Sequence, residues 1–427
     1  MERLVIIDGV RTPFTRMGTD LSGLGAEELG RQAVSALLLR TGIDPAEISE
    51  VILGCVSQPA DAANIARVVA LRSGIPEDVP AISVHRNCAS AFESITQAYE
   101  KMAAGRGDLF VVGGTESMSQ VPLFFSKTAA KKFGRLAKAR GFGAKLKAIT
   151  SFRPSDFKPT VGLLVGLTDP VSGLNMGQTA ELVARESGVT REMQDRFAAQ
   201  SQKKAVDARE RLAKEISPAY VAPDFKKVVT QDNGPREDST IEKLAKLRPV
   251  FERGETGTVT AGNSSQVTDG AVALLVASES RAAALGIKPL GVLTGYAYAG
   301  LDPARMGLGP VHAIARAEDA TGLGVDDADL IEINEAFAAQ VLAVLDKAKS
   351  ADYARDALGR DRPVGAIDES KLNVNGGAIA LGHPVGATGS RLVLTSLLEL
   401  ARRDARRALV TLCVGGGQGG ALWLERA

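Results

Sequence analysis

The chain has 427 residues, 45% of them hydrophobic, and a formal net charge of +1 at pH 7. It is long enough to bury a large core and to divide into two or more domains, while the near-neutral balance excludes a global attraction to nucleic acid. No apolar run approaches the roughly eighteen residues of a membrane span, and the three cysteines, Cys55, Cys88 and Cys413, lack the spacing of a disulfide framework or a cysteine-based metal site.

From the N-terminus, Met1-Glu2-Arg3 passes directly into an apolar run without a signal or transit pattern, which predicts a cytoplasmic protein. Short β-branched runs at 4–7, 51–54, 108–112, 271–276, 329–333 and 408–414 alternate with longer helical stretches, an α/β pattern. In Asn87-Cys88-Ala89-Ser90 the cysteine precedes apolar positions Phe92, Ile95, Tyr99 and Met102, spaced by three and four residues. That periodicity puts Cys88 at or near the start of an amphipathic helix. There the positive end of the helix dipole can draw a thiol pKa well below about 8.5. A lone cysteine is more often a buried structural thiol, so the decision rests on the other groups.

Between about 120 and 255 the texture changes to charged helices and polar loops punctuated by Pro154, Pro159, Pro170, Pro218, Pro223 and Pro235, which predicts an inserted domain. From Lys127 to Ile149 there are eight Lys or Arg residues and no acid. Lys127, Lys131, Arg135 and Lys138 fall on one helical face, with Phe133, Leu136 and Ala137 alongside. A solvated basic helix, a membrane or partner-protein contact, and attraction of a phosphate-bearing substrate all fit that pattern.

Further on, Asn334-Glu335-Ala336-Phe337 stands where a strand meets a helix. There a side-chain amide either caps the helix or polarises a carbonyl. Gly376-Gly377-Ala378-Ile379-Ala380-Leu381-Gly382-His383-Pro384 surrounds a histidine with small residues that let backbone and substrate come close. An imidazole so placed can take a thiol proton near neutral pH. His85 and His312 lack such surroundings and read as structural. A helix through Leu392, Leu394 and Leu397 leads to the last predicted strand, which ends at Cys413. Beyond it, Gly415-Gly416-Gly417-Gln418-Gly419-Gly420 leaves backbone N–H groups free to meet an oxyanion. The order glycine-rich turn, helix, strand thus occurs in both halves, as in a duplicated unit.

Cys88, the Asn334 segment, Gly382-His383-Pro384 and Cys413 with its glycines occur in the order of the thiolase family, which the chain resembles from end to end. Supporting segments are Val10-Arg11-Thr12-Pro13-Phe14, Gly113-Gly114-Thr115-Glu116-Ser117-Met118, Gly257-Thr258-Val259-Thr260-Ala261-Gly262-Asn263-Ser264-Ser265, Asp269-Gly270-Ala271 and Gly307-Leu308-Gly309-Pro310. The resemblance implies a five-layer αβαβα core of two similar halves. The N-terminal half would take residues 1–120 and 256–287, around a loop domain at 121–255, and the C-terminal half residues 288–427. It further implies that Cys88 carries the acyl group as a thioester, His383 activates it and Cys413 moves the proton at the α-carbon. Asn334, through a water, and His383 would stabilise the thioester enolate, with the N–H groups of Cys88 and Gly415 as a second oxyanion hole. Ser265 matches a pantetheine contact, Arg236 a residue beside the adenine, and Met176 and Phe337 the acyl site. Coenzyme A is the substrate, and no metal or other cofactor is implied.

The implied reaction is CoA-dependent, ping-pong cleavage of 3-ketoacyl-CoA to acetyl-CoA and a shortened acyl-CoA, as in fatty-acid β-oxidation. The alternatives are an acetoacetyl-CoA thiolase working in condensation, and, of another class, an inactive lipid-binding or structural subunit. A homodimer or homotetramer is implied. The subgroup resembled, the thiolase subunit of fatty-acid oxidation complexes, adds a hydratase/dehydrogenase partner, and the one-sided charge of 127–149 suits docking of a partner subunit or a peripheral membrane contact. Two departures stand out. Ala91 replaces the usual glycine three residues after the nucleophile, where a methyl tightens helix packing or trims the acyl pocket. Asn334 stands where many members of that subgroup have histidine, although the segment 345–371, longer than in compact biosynthetic thiolases, resembles that subgroup as the basic stretch does.

Overall fold

A computed structural model describes residues 2–252, 254 and 256–427. The chain divides into two compact units, Met1–Gln120 with Asp169–Ala427, and Val121–Thr168. The stretch expected as an insertion therefore spans both units, and its last residue, 255, lies outside the described residues.

In the larger unit the first half runs β1 (Leu4–Arg11), α1 (Ala26–Thr41), β2 (Glu50–Gly54), α2 (Ile65–Arg72), β3 (Ala81–Val84), α3 (Ser90–Ala103), β4 (Leu109–Ser117) and, after the long excursion, β5 (Thr268–Ser278). The second half runs β6 (Gly291–Gly300), α4 (Gly309–Thr321), β7 (Leu330–Ile333), α5 (Ala338–Ala348), α6 (Thr388–Arg403), β8 (Arg407–Val414) and β9 (Gln418–Arg426). The strands join as β7-β8-β9-β6-β1-β5-β4-β2-β3. In each half a strand from ahead of the central helix pairs in parallel with the strand after it, β2 with β4 and β7 with β8, and the last strand is antiparallel to its neighbour. A single parallel bridge between Ile331 and Leu372 takes the place of β3 in the second half. The duplication expected from the order of elements is thus a duplication of topology.

Side-chain alternation converts this into layers. On β4, Leu109 and Val111 face one core with Leu29, Leu37, Ile65 and Val69, while Phe110 and Val112 face another. That second core is central: Phe92 and Ile95 of α3 and Leu392, Val393 and Leu397 of α6 meet Val410 and Leu412 of β8. On the far face of β8, Leu409 packs with Trp423, Ile314 of α4 and Val344 of α5. The sequence of layers is helix, sheet, helix, sheet, helix, the expected αβαβα core.

Of these nine strands, three lie outside the predicted runs. β3 is short and half exposed, β6 is interrupted by glycines and tyrosines, and β9 hides in the glycine run after Cys413. Only Gly415–Gly417 form the turn between β8 and β9. Gly419 and Gly420 lie in the strand, where a Cβ on Gly419 would sit 2.0 Å from the carbonyl oxygen of Gly309. The smallness of Gly419 admits the start of α4 and that of Gly420 admits the rings of Tyr298 and Phe92; neither opens an oxyanion site. The long segment after α5 lies over α4, with the Tyr353 hydroxyl 2.8 Å from His312 Nε2 and Arg360 paired with Glu318 at 2.7 Å.

In the smaller unit, helix Lys127–Lys138 forms where expected, capped by Ser126. Phe133 packs against Phe125, Phe152 and Phe157, and Lys132 pairs with Asp156 at 2.6 Å.

Candidate active site

The two equivalent helices α3 and α6 start side by side. A Cβ on Gly389 would lie 2.8 Å from the backbone nitrogen of Phe92, so only glycine permits the approach. Cys88 precedes one helix start and His383 the other. Ala91 is fully buried at this contact, with its backbone close to Gly54 and Gly389.

Cys88 follows Asn87, whose φ of 43° turns the chain sharply. Asn87 Nδ2 donates to the carbonyl oxygen of Gly415 at 2.7 Å, and the Gly415 N–H faces the Cys88 thiol. The thiol pKa is raised, not lowered as expected from the helix start: burial outweighs the pull of the Gly415 N–H and of the residue's own N–H. Desolvation is a tertiary effect that position on a helix does not reveal.

His383 is buried. Its backbone N–H is held by the Gln266 carbonyl at 3.2 Å and by Thr268 Oγ1 at 3.1 Å. Its Nδ1 lies 2.6 Å from Thr388 Oγ1, and that hydroxyl donates to the Pro384 carbonyl at 3.0 Å. The Thr388 oxygen therefore accepts from Nδ1–H, which leaves Nε2 with its lone pair. Asn334 Nδ2 is 3.5 Å from this Nε2. Burial, with Arg391 second, lowers the imidazole pKa to about 4, so at neutral pH it is uncharged. Thiol and imidazole both rest neutral.

Asn334 is not a helix cap, since α5 begins at Ala338 behind Phe337. Its Oδ1 is buried without a hydrogen-bond partner among the described residues. Cys413, one residue before the end of β8, is 1% exposed. Burial and, second, the neighbouring Cys88 sulfur hold its thiol pKa well above the ordinary value. It packs among Met176, Phe251, Met306 and Phe337, an apolar wall beside two thiols.

The segment 257–268 joins these parts. Asn263 accepts from the first N–H of α5 through its carbonyl at 2.9 Å, Ser265 N donates to the Ala336 carbonyl at 2.9 Å, and Ser264 bridges Phe337. Ser265 is thereby set beside the Asn334–Phe337 turn. Arg236 is exposed; its backbone N–H bonds Gln202 at 2.8 Å, and two residues earlier the Gly234 carbonyl accepts from Gln266 Nε2 at 3.2 Å. Cys88, Cys413, Gly415, Asn334 and His383 thus come together, Met176 and Phe337 line the apolar wall, Ser265 adjoins it, and Arg236 stands outside on the surface.

Asn87, Thr268, Thr388, Glu116 and Glu335 escaped the sequence reading. Of these only Thr388 left a signal, a threonine four residues after the proline whose carbonyl it meets. Among the described residues no group of three or more His, Cys, Asp or Glu side chains could hold a metal, and no helix is long and apolar enough to cross a membrane.

The family model described as thiolase, N-terminal domain, matches residues 4–280, and that described as thiolase, C-terminal domain, matches residues 287–426. A 3-ketoacyl-CoA thiolase of Pectobacterium carotovorum is 43% identical, covering 99% of this chain and 97% of the relative. Among solved structures, the acetyl-CoA acetyltransferase of Bacillus anthracis superposes with a TM-score of 0.86 at 35% identity, covering 100% of this chain and 99% of that one. Human mitochondrial 3-ketoacyl-CoA thiolase in complex with CoA superposes with a TM-score of 0.85 at 36% identity, covering 100% and 98%.

Proposed function

The chain belongs to the thiolase family and is an acyltransferase, and on that premise we propose that it cleaves 3-ketoacyl-CoA with CoA by a ping-pong route in fatty-acid β-oxidation. The observation that carries this reading is the meeting of one thiol facing a backbone N–H, a second thiol against an apolar wall, and a neutral imidazole paired with an amide.

Each group has a step. His383 Nε2 takes the proton of Cys88, and the thiolate adds to the 3-keto carbon. The N–H groups of Cys88 and Gly415 hold the resulting oxyanion. The bond between C2 and C3 breaks, leaving an acyl thioester on Cys88 and the enolate of acetyl-CoA. Nε2–H, now a donor, and Asn334 through a water stabilise the enolate oxygen while the Cys413 thiol protonates C2. Its raised pKa suits a group that must hold its proton until a carbanion appears. A second CoA thiol, deprotonated by Cys413, takes the acyl group from Cys88. Ser265 contacts the pantetheine, Arg236 the adenine end, and Met176 and Phe337 the acyl chain. No other cofactor takes part.

Cleavage of acetoacetyl-CoA and of a long-chain 3-ketoacyl-CoA, measured side by side, tests the assignment. The expected result is a higher kcat/KM for the long chain. A preference for acetoacetyl-CoA moves the reading to the acetyltransferase, which the likeness to the Bacillus structure favours, and cleavage of neither moves it to an inactive lipid-binding subunit.

The protein works in the cytoplasm as a homodimer or homotetramer; the open edge of β3, with Ile82 exposed, is the supporting feature. The unit Val121–Thr168 contacts an anionic membrane surface. On helix Phe142–Thr150 the side chains of Phe142, Leu146 and Ile149 share one face and are 84%, 50% and 55% exposed. Lys127, Lys131, Arg135 and Lys138 on the preceding helix are exposed too. Exposed apolar side chains rimmed by cations fit the boundary between lipid headgroups and acyl chains. With about 1 kcal/mol per cation near an anionic leaflet, exchanging those four for glutamate should weaken binding to phosphatidylserine vesicles by a hundredfold or more. Unchanged vesicle sedimentation would leave the unit to a hydratase/dehydrogenase partner or to solvent.

A further inference from the structure

Two buried carboxylates outside the reaction steps grip the loop that carries His383. Glu335 is 1% exposed and forms no ion pair among the described residues. Its Oε2 accepts from Ser201 Oγ at 2.6 Å and from the Ile379 N–H at 3.2 Å, and its Oε1 accepts from Asn373 Nδ2 at 2.8 Å. Ser201 Oγ in turn accepts from the Gly377 N–H at 3.1 Å. A Cβ on Gly377 would lie 2.3 Å from the Glu335 carboxyl carbon, so the glycine is what lets the carboxylate in.

Glu116, fully buried, does the same beyond the histidine. Its Oε2 accepts from the N–H of Gly386 at 2.9 Å and of Val56 at 3.1 Å, and its Oε1 from the N–H of Ser57 at 2.9 Å. The segment 376–388 is therefore bonded to a carboxylate on either side of His383. Burying a carboxylate without a bonded cation costs free energy, and an apolar residue of similar size would fill either space at less cost. What an apolar residue lacks is the capacity to accept several N–H and O–H groups from separate segments at once.

We infer that Glu335 and Glu116 are positioning residues that fasten the His383 loop at both ends, and that Glu335, next in sequence to Asn334, sets the spacing between the Asn334 amide and the imidazole. This rests on the reaction proposed above, in which both groups meet the same oxygen. A glutamine at 335 keeps the shape but offers one acceptor oxygen to three donors and turns an NH2 toward one of them. The loop then shifts, and a displacement on the order of 1 Å between catalytic groups is enough to cost up to about a hundredfold in rate.

The test compares wild type, Glu335→Gln, Ser201→Ala and His383→Asn by kcat and KM for 3-ketoacyl-CoA cleavage, normalised to reactive Cys88, and by the rate at which iodoacetamide alkylates Cys88 at pH 7, followed on its peptide. Glu335→Gln should lower kcat by about tenfold to a hundredfold with KM within about twofold, and its alkylation rate should fall toward that of His383→Asn. Ser201→Ala, a milder loss that keeps the test open should the glutamine variant fold poorly, should move both quantities less, in the same direction. Wild-type kcat per reactive thiol and wild-type alkylation in both variants, with only the unfolding temperature lowered, would overturn the inference. If wild type cleaves no 3-ketoacyl-CoA, the reaction assignment fails while the alkylation rates still decide the clamp. Equal alkylation of wild type and His383→Asn removes the imidazole's role and the clamp with it.

Discussion

Cys88→Ala is expected to abolish cleavage of 3-ketoacyl-CoA, with kcat falling by a factor on the order of 10,000 or more, while CoA binding and the unfolding transition stay near those of wild type. The size follows from the division of labour. No other group in the site can hold the acyl chain between the two half-reactions, because Cys55 is fully buried and bonded to Glu116, and Cys413 is buried against its apolar wall. The fold tolerates the change because Cys88 is only partly buried at the edge of the central core, and its loss removes one sulfur while the bond between Asn87 and Gly415 that shapes the turn remains. Steady-state turnover and isothermal titration with CoA on the same preparation check both halves; residual turnover above about one per cent would transfer the nucleophile's role elsewhere.

Cys413→Ala should separate the two half-reactions. On the proposed route, transfer of an acetyl group from acetyl-CoA to Cys88 relies on His383 and the Gly415 N–H, both intact in this variant, and should persist. Carbon–carbon cleavage and condensation need a proton given or taken at C2 and should fall by about a hundredfold to ten-thousandfold, the usual share of a positioned acid or base. The raised thiol pKa of Cys413 sharpens the expectation, since a group that keeps its proton to high pH is not replaced by a solvent hydroxyl in an apolar wall. Exchange of label between CoA and acetyl-CoA measures the first, and release of acetyl-CoA from acetoacetyl-CoA the second. A parallel loss of both would give Cys413 a structural role.

What the sequence made legible and what it hid divide along physical lines. The helix after Cys88, the helix before Cys413 and the α/β alternation rest on local periodicity, and all are present. The glycines around His383 read correctly as close-approach positions because a missing Cβ is a local property with a local cause; Gly377, Gly386 and Gly389 each admit a distant partner. The direction of the Cys88 pKa was misread, since burial depends on side chains from elements hundreds of residues away. The same holds for Glu335 and Glu116, ordinary acids in the sequence whose donors come from separate segments. β9 hides in the glycine run because glycines signal turns, whereas here Gly419 and Gly420 serve a strand, the first pressed against the start of a helix and the second against the Tyr298 and Phe92 rings.

The central claim is that Cys88 carries the acyl group while Cys413 handles the proton. Intact-mass and peptide mass spectrometry of the Cys413→Ala variant, mixed with acetyl-CoA and quenched in acid, tests it most directly. The account predicts one acetyl group per chain, located on the peptide containing Cys88 and absent from the Cys88→Ala, Cys413→Ala double variant. An acetyl group on another residue, or an unmodified chain at saturating acetyl-CoA, would contradict it.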